Sequence, residues 1–339
     1  MQHFSSNSRR QFLRQTLAFS AASLAGALTS CGKGIIGGAS DVAHLLMLGD
    51  WGATGQHLDQ AAVAAAMQTY TRTHVLNHQA LLMLGDNFYG ELGSTSSSRW
   101  KNQFEDMYPR SIFNCPAYAI PGNHDYIQDN GILRYDVELQ YAKTMQTRWT
   151  MPSQCYRFLF PALDPLVTFI ALDSNIPYAD GSTQSGGFFT MSAAQKAAQL
   201  QWLSDELKKP LDTPFLIVMA HHPIYSDGPH GDNQSLIDDW DPLLRQHRAH
   251  VYLAGHDHDL QHLEFEGHPT SFFCSGGGGS DLYNLRIPSD KRGPYAVKTF
   301  GFSHLEVTKS LLTLRHVDQN GNIIHAFTKT PDNELKLIT

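Results

Sequence analysis

Short apolar runs alternate with longer segments of helical periodicity along most of the chain. The runs end in glycine or a polar residue, as buried parallel strands do. They predict strands at residues 42–48, 81–84, 117–120, 167–172, 215–220 and 251–254. The segments between them predict helices at 58–78, 98–108, 129–146, 192–208 and 235–247. This alternation indicates βαβ units and a largely parallel sheet, which an antiparallel layer of shorter strands closes after Asp259.

The hexapeptide LLMLGD occurs twice, at residues 45–50 and 81–86. The two copies are predicted to be parallel strands joined by one crossover helix, and such strands often lie side by side. Asp50 and Asp86 would then emerge at the same carboxyl edge, where open α/β sheets hold their sites. Two carboxylates held so close repel each other, and one stays protonated unless a cation lies between them. The repeat therefore predicts a cation site.

The N-terminus has the features of an export signal. Arg9 and Arg10 precede an alanine-rich apolar run, residues 17–28, that is too short to span a bilayer. The arginine pair resembles the bacterial twin-arginine signal. The sequence LTSC resembles a lipobox ending at Cys31, which makes lipidation of this cysteine one expectation and conventional cleavage to a soluble protein the other.

These features predict three segments and a location. We expect residues 1–31 to be the signal, 32–40 a glycine-rich linker and 41–339 a single domain. The export machinery would be a partner of the signal, and the mature protein would reside in the bacterial periplasm or cell envelope. Three further cysteines, Cys115, Cys155 and Cys274, have no metal-binding spacing, and the sequence does not decide whether two of them pair.

Composition narrows the function classes. The chain has 339 residues, 42% of them hydrophobic, and a formal net charge of −7, so it has no electrostatic footprint for a nucleic-acid scaffold. Its eighteen histidines are the unusual count. Histidine is the commonest metal ligand in proteins.

Every further predicted strand of the α/β part ends in a polar cluster of the kind that binds metals. One such cluster is explained by helix capping or by a surface histidine, but five in one chain are not. Besides Asp50, the clusters supply Asp86 and Tyr89 from GDNFY, Asn123, His124 and Asp125 from PGNHD, His221 and His222 from VMAHHP, and His256 and His258 from GHDHD.

In this order, the motifs GD, GDxxY, GNH, VxxH and GHxH resemble the five blocks of the purple acid phosphatases, small mammalian type, within the calcineurin-like metallophosphoesterases. The match runs from about Gly49 to Gly279. It implies an α/β fold, a sandwich of two mixed β-sheets flanked by helices with the site at the carboxyl ends of strands. It also implies an acid phosphatase that hydrolyses small phosphomonoesters by attack of a metal-bound hydroxide.

The resemblance implies a site for two metal ions. Asp50, Tyr89 and His258 would hold the first ion, Asn123, His221 and His256 the second, and Asp86 would bridge them. A phenol becomes a good ligand only on a strongly polarising ion, so Tyr89 favours Fe(III) at the first position. The neutral second set suits Fe(II), Zn(II) or Mn(II).

The first block departs from many metallophosphoesterases. These carry D-x-H, and Gly52 stands at the histidine's place, so Tyr89 supplies the missing donor. Tyr126 stands where some relatives carry a further histidine, which leaves substrate contacts there open.

Two histidines are candidates for proton transfer and substrate contact. His124 follows the ligand Asn123 and is the candidate general acid for the leaving alkoxide. His230 lies nine residues after His221, where small relatives carry a histidine facing substrate. Asp125 and Asp257 are expected to orient neighbouring ligands, and His222 to pack beside them.

Other functions stay open on the sequence. The same dimetal centre serves phosphodiesterases and nucleotidases, against which Tyr89 argues. A metal-carrying lipoprotein without catalysis is a second alternative, and peroxide chemistry at the iron pair a third. The motif CSGGGGS at 274–280 lacks the lysine of a nucleotide loop and is expected to be a tight turn bordering the site.

Overall fold

Two mixed β-sheets form the centre of the protein. The structure is a computed structural model that describes residues 42–55, 58–144, 146–287 and 292–338. Its helices are α1 (Leu58–Thr73), α2 (Arg134–Tyr141), α3 (Ala193–Leu207), α4 (Gln234–Asp239) and α5 (Asp241–Gln246), with a π-helical turn at Trp100–Glu105 and a 3-10 turn at His124–Tyr126. Its strands are β1 (Ala43–Leu48), β2 (Ala80–Met83), β3 (Ala117–Ala119), β4 (Gln128–Asp129), β5 (Ile132–Leu133), β6 (Trp149–Thr150), β7 (Tyr156–Phe160), β8 (Val167–Ala171), β9 (Gln184–Ser185), β10 (Phe188–Phe189), β11 (Phe215–Met219), β12 (Val251–Ala254), β13 (Leu260–Leu263), β14 (Ser271–Ser275), β15 (Tyr295–Val297), β16 (Gly301–Val307), β17 (Leu312–Asp318), β18 (Ile323–Lys329) and β19 (Leu335–Ile338).

Each sheet has a parallel part and an antiparallel part. The eight-stranded sheet has the order β19-β18-β17-β16-β1-β2-β3-β6, in which β1, β2, β3 and β6 are parallel. The seven-stranded sheet has the order β15-β13-β14-β12-β11-β8-β7, with β8, β11, β12 and β14 parallel. The expectation of two mixed sheets is confirmed. The antiparallel strands expected after Asp259 are present, and they extend both sheets: β16 to β19 continue the first sheet from β1, and β13 and β15 lie at one edge of the second. The expectation that they are shorter is wrong, because β16, β17 and β18 have seven residues each.

Apolar side chains occupy three layers around the two sheets. The middle layer joins residues of both sheets, such as Met47 and Leu305 from one and Phe169 and Ile217 from the other. The outer layers lie under the helices, one with α1 and α2 and the other with α3, α4 and α5. Both sheets are therefore covered on both faces, which explains why their strands are continuous apolar runs. The described residues pack as one compact unit.

Several predicted helices are shorter than expected, and the one at 98–108 is only the π-helical turn Trp100–Glu105. Residues 129–133 form the hairpin of β4 and β5 instead of a helix, because Asn130 and Gly131 both have positive φ angles, 53° and 84°. The helix predicted at 235–247 is divided at Trp240, where Pro242 starts a second helix. Helix α1 ends at Thr73, and positive φ at Val75, 51°, turns the chain toward β2.

Some elements follow the sequence signal closely. Ser192 caps α3, and its side chain and that of Gln195 form a capping box with the backbone.

Cys115, Cys155 and Cys274 are all free thiols, so no two of these three are paired. No helix within the described ranges is long and apolar enough to cross a bilayer.

The candidate metal centre

The two LLMLGD copies lie side by side, as predicted. Strands β1 and β2 are parallel neighbours with Leu48 opposite Met83. Asp50 has φ of 59° and Asp86 has φ of 49°, so both residues adopt the left-handed conformation directly after their strands. His256 shares it, with φ of 68°. Left-handed backbone is costly for residues other than glycine and collects at functional sites, which makes this sheet edge the candidate site.

Two overlapping groups of donors meet at this edge. Asp50, Asp86 and His258 bring ligand atoms within 4.8 Å of one another, and so do Asp86, His221 and His256. Asp86 belongs to both groups, which is the position of a bridging ligand. The side chains of Asp50, Asp86 and His221 are almost completely buried.

Tyr89 and Asn123 complete the two groups. The Tyr89 hydroxyl lies 3.1 Å from Asp50 Oδ1 and 2.9 Å from His258 Nε2. Asn123 Oδ1 lies 3.2 Å from His221 Nε2 and 3.0 Å from His256 Nδ1. The structure thus brings together all seven side chains that the sequence nominated as metal ligands.

Hydrogen bonds fix which nitrogen each imidazole turns to the site. His221 Nδ1 donates to the Leu84 carbonyl at 2.8 Å, which turns Nε2 toward the site, where a metal ion would displace the proton that Nε2 carries. His258 Nδ1 donates to the Asp281 carbonyl, which leaves its Nε2 facing Asp50 at 3.4 Å. Such tautomer control is the usual arrangement around metal-binding histidines, so these residues fit a metal centre.

The electrostatics of the site favour cations. Burial opposes protonation of His221, but Asp86 and Asp50 outweigh it and raise the His221 pKa to about 10. Burial raises the pKa of the Tyr89 phenol, and the Asp50 carboxylate raises it further. Burial by itself opposes ionisation of Asp86, yet the charge and hydrogen bond of His221 hold the Asp86 pKa below its usual range. Two buried carboxylates with this pull on nearby protons leave a negative charge that metal ions would neutralise.

Two glycines allow the close approach of chain segments at the site. A Cβ at Gly52 would overlap the carbonyl group of Asn87, so no side chain fits at this position. A Cβ at Gly276 would lie 2.9 Å from Asp50 Oδ2 and overlap the Asp257 carbonyl. The CSGGGGS segment therefore borders the site, as predicted, although its residues 276–280 are irregular backbone after β14 and not a tight turn.

His124 and His230 both lie beside the donors. The His124 backbone N–H donates to Asp86 Oδ1 at 2.8 Å, and its ring packs on Tyr89 with centroids 4.3 Å apart. Burial lowers the His124 pKa from its ordinary value, while Asp86 acts in the opposite direction. Its Nε2 is 4.0 Å from Asp86 Oδ2, so the ring faces the site without belonging to either donor group.

His230 is held by a buried carboxylate. Its Nδ1 donates to Asp257 Oδ1 at 2.6 Å, and its ring lies 4.1 Å from that of His256. The Asp257 side chain is fully buried and also accepts a hydrogen bond from the Ser226 hydroxyl. An open cavity of about 290 Å³ lies beside His230 and His256.

Three further residues contact the donors, and the motifs did not indicate them. Ser280 is hydrogen-bonded to the Tyr89 hydroxyl, and the Tyr283 ring stacks on His258 with centroids 4.0 Å apart. The third is Asp281, through the carbonyl described above. Ser280 is the last residue of CSGGGGS and the other two follow it, so this glycine-rich segment was the available signal.

The remaining nominated residues are structural. Asp125 accepts from the backbone N–H groups of Gly122 and Asn87 and so fixes the loops that carry Asn123 and Asp86. His222 Nδ1 lies 2.7 Å from the Ser174 hydroxyl.

The side chain of Tyr126 points away from the metal donors, although its backbone N–H donates to the Asn123 carbonyl. Its ring is buried against Tyr135, and its hydroxyl donates to Asp173. The departure from relatives at this position therefore leaves the metal donors untouched.

Comparison with known proteins identifies the fold family. Residues 43–260 match the family model described as calcineurin-like phosphoesterase. The chain belongs to this family. The phosphoesterase expected from the strand-end motifs is thereby confirmed.

Curated relatives place this calcineurin-like phosphoesterase near the acid phosphatases. Tartrate-resistant acid phosphatase type 5 of Oryctolagus cuniculus is 29% identical over 303 residues, which are 84% of this chain and 90% of the relative. Purple acid phosphatase 4 of Arabidopsis thaliana is 29% identical over 293 residues, 83% of this chain and 81% of the relative. The resemblance to purple acid phosphatases is confirmed over most of the chain.

Solved structures support the fold alone. The structure titled "GAP50 the anchor in the inner membrane complex of Plasmodium" superposes with a TM-score of 0.66 at 22% identity and covers 88% of this chain and 90% of that one. Purple acid phosphatase PPD1 from yellow lupin superposes with a TM-score of 0.61 at 16% identity, over 86% of this chain and 55% of that one.

Proposed function

We propose that this protein is an acid phosphatase that hydrolyses phosphomonoesters at a dinuclear metal centre. The observation that carries the proposal is the position of Tyr89, whose hydroxyl lies 3.1 Å from Asp50 and 2.9 Å from His258. Because Gly52 leaves no room for a histidine, the phenol takes the place of that donor. A phenolate donor distinguishes this centre from one built for two divalent ions.

The chemistry of the two donor sets supports an ion for each position. Asp50, Tyr89 and His258 would hold Fe(III), with Asp86 shared with the second ion. Asn123, His221 and His256 would hold Fe(II), Zn(II) or Mn(II). Two such ions, when bound, supply Lewis acidity toward the phosphate and an acidified water as the nucleophile.

The chain's own side chains would handle the proton of the leaving group. His124 Nε2 faces the site from outside the donor groups, so it can give its proton to the departing alkoxide. His230 donates a hydrogen bond from Nδ1 to Asp257, so its Nε2 is available to contact the phosphoester. The buried Asp257 holds this ring in one tautomer.

Substrates would enter through the open face beside these histidines. Phe188, on the β9–β10 hairpin, lies 5.0 Å from the His124 ring, so the segment 175–189, whose residues 179–187 are mostly exposed, borders this entrance. We further propose that the enzyme is exported by its twin-arginine-type N-terminus, with or without a lipid on Cys31. Residues 1–40, which carry this signal and linker, lie outside the described residues.

The visible spectrum of the purified protein, with its iron and zinc content, tests the proposal. We expect a broad phenolate-to-iron charge-transfer band that disappears in Tyr89→Phe. A colourless protein that holds two divalent ions and cleaves a bis-aryl diester in preference to an aryl monoester would instead assign a phosphodiesterase.

The role of His124 has its own test. His124→Ala should lose most of its turnover on alkyl phosphates, whose leaving alkoxide needs a proton, and much less on an activated aryl ester. Full turnover on the alkyl substrate would remove His124 from the role of general acid.

A further inference from the structure

Three side chains of types that bind metals lie close together near the start of β1, whereas the candidate metal centre lies at its end. In the antiparallel pair of β1 and β16, His44 lies opposite Glu306 and Leu46 lies opposite His304. Because His304 and Glu306 are two residues apart on β16, their side chains share one face with that of His44. One ligand atom from each of the three lies within 4.8 Å of the other two.

The two imidazoles have the separation of neighbouring zinc ligands. His44 Nδ1 lies 3.1 Å from His304 Nε2. Two donors on a tetrahedral zinc ion, each about 2.1 Å from it, are roughly 3.4 Å apart. Glu306 is partly exposed and has a carboxylate oxygen within 4.8 Å of both imidazole donors, so a change of its rotamer can bring that oxygen to the distance of a zinc ligand.

The surroundings of His304 orient its ring and keep it neutral, as a metal ligand requires. Its Nδ1 lies 3.1 Å from the Tyr70 hydroxyl, which can accept the Nδ1 proton and leave the Nε2 lone pair directed at His44. Burial is the main reason that the His304 pKa falls to about 2, so the ring is neutral and able to bind a metal. A hydrogen bond that orients the ring from its far nitrogen is the usual support of a zinc-binding histidine.

The nearby charges act in both directions. Arg315 Nη1 lies 3.2 Å from Glu306 Oε2 and so occupies one carboxylate oxygen, while the other oxygen stays available. Its positive charge opposes protonation of His44 and His304, and by the same repulsion it weakens cation binding. His74 and His78 also lie close enough to oppose protonation of His304.

This cluster is separate from the dinuclear centre. His44 stands near the start of β1, and Asp50 follows its end, six residues later. At about 3.3 Å per residue, the two positions are on the order of 15–20 Å apart. Neither His44, His304 nor Glu306 contributes to the phosphoesterase motifs.

We propose that His44, His304 and Glu306 form a third metal site that binds one Zn(II) ion. Two neutral imidazoles and one carboxylate are a common zinc donor set, and water would take the fourth position. The ion would link β1 to β16 and thereby join the parallel and antiparallel parts of the eight-stranded sheet. Its role would be structural, and it does not depend on the proposed function.

Titration of the purified, metal-loaded enzyme with Zn²⁺ tests this site. We expect one zinc per chain beyond the dinuclear centre, measured by calorimetry and by metal analysis after gel filtration. In His44→Gln and Glu306→Gln the dissociation constant of this extra zinc should rise about 100-fold or more, because each loses a direct ligand. Phosphatase activity and near-ultraviolet circular dichroism should be unchanged in both.

A second pair of histidines provides the matched control. His325 Nε2 lies 2.9 Å from His262 Nδ1, but the nearby Glu264 bonds to the opposite nitrogen of His262, so no three donors converge there. His325→Gln should therefore bind the extra zinc as the wild type does. Arg315→Met should bind it more tightly, since it removes the repelling charge.

Two results would overturn the site. One is the absence of an extra zinc in the wild-type enzyme. The other is an extra zinc that His44→Gln and Glu306→Gln retain with unchanged affinity. A measurement on the wild type alone adds a further check, since Co²⁺ in this position should give the intense visible bands of four coordination. The weak bands of a six-coordinate surface ion would contradict the proposal.

Discussion

Replacing His78 with leucine should make the protein more resistant to acid. His78 precedes β2 and is buried against Phe113, with ring centroids 5.0 Å apart. Neither of its ring nitrogens has a hydrogen-bond partner among the described residues. Burial, and to a smaller degree the charge of His44, lowers the His78 pKa from 6.5 to about 4. The folded protein therefore keeps this ring neutral where the unfolded chain protonates it.

The sign of the pH dependence follows from this difference. Below pH 6.5 the unfolded state binds a proton at His78 that the folded state does not bind. The free energy of unfolding therefore decreases as the pH falls from about 6.5 toward 4. At pH 5 the loss amounts to between about 1 and 2 kcal/mol, the lower figure allowing for solvent screening of the ring. His78→Leu cannot take up this proton and avoids the loss.

Urea unfolding of the wild type and the His78→Leu variant at pH 7.5 and pH 5.0, in the same metal-containing buffer, measures the effect. The variant should be at least as stable as the wild type at pH 7.5, because the ring has no hydrogen bond to lose. Its advantage should grow by about 1–2 kcal/mol at pH 5.0. An advantage of the same size at both pH values would refute the reasoning, since it would show that His78 does not change its protonation on unfolding.

Further predictions address the site and the fold. Gly52→His should lower the yield of folded, metal-loaded protein, because its side chain overlaps the Asn87 carbonyl; normal metal content would contradict this. Asp257→Asn should reduce kcat roughly 10–100-fold with unchanged metal content, because it weakens the bond that orients His230. The same change made in His230→Ala should have little further effect on steady-state kinetics. Ser192→Ala should cost about 1 kcal/mol of unfolding free energy in urea, because it removes the cap of α3.

The sequence predicted the site better than the exact elements. The candidate donors follow the ends of strands. A buried parallel strand can be recognised in the sequence as an apolar run that ends in glycine or a polar residue. Local pattern was therefore enough to nominate Asp50, Asp86 and the other ligands. Helix bounds were less predictable. Residues 129–133 read DNGIL, and their Asn-Gly pair is a hairpin signal that the helix prediction overlooked. The left-handed backbone of Asn130 and Gly131 makes the segment a hairpin.

The repeated hexapeptide shows a limit of sequence reading. The two copies are identical, but the strands pair one residue out of register with the repeat, so that Leu45 lies opposite Ala80 and Leu46 opposite Leu81. As a result, Leu45 faces the core between the sheets, and Leu81 faces the helices. Equivalent residues of the two copies thus face opposite sides of the sheet. Side chains alternate along a strand, so a shift of one residue exchanges the two sides.

By itself, the sequence determined the family, the strand ends and the side chains that meet at the candidate metal centre, since each of these is encoded within a few neighbouring residues. Only the tertiary structure decided which distant side chains meet. Asp257 holds His230 across 27 positions, and His44 meets His304 across 260. Such contacts depend on strand order and register, which are set by the packing of both sheets together. No local pattern carries that information, because the free energy that fixes it comes from burying all the apolar layers at once.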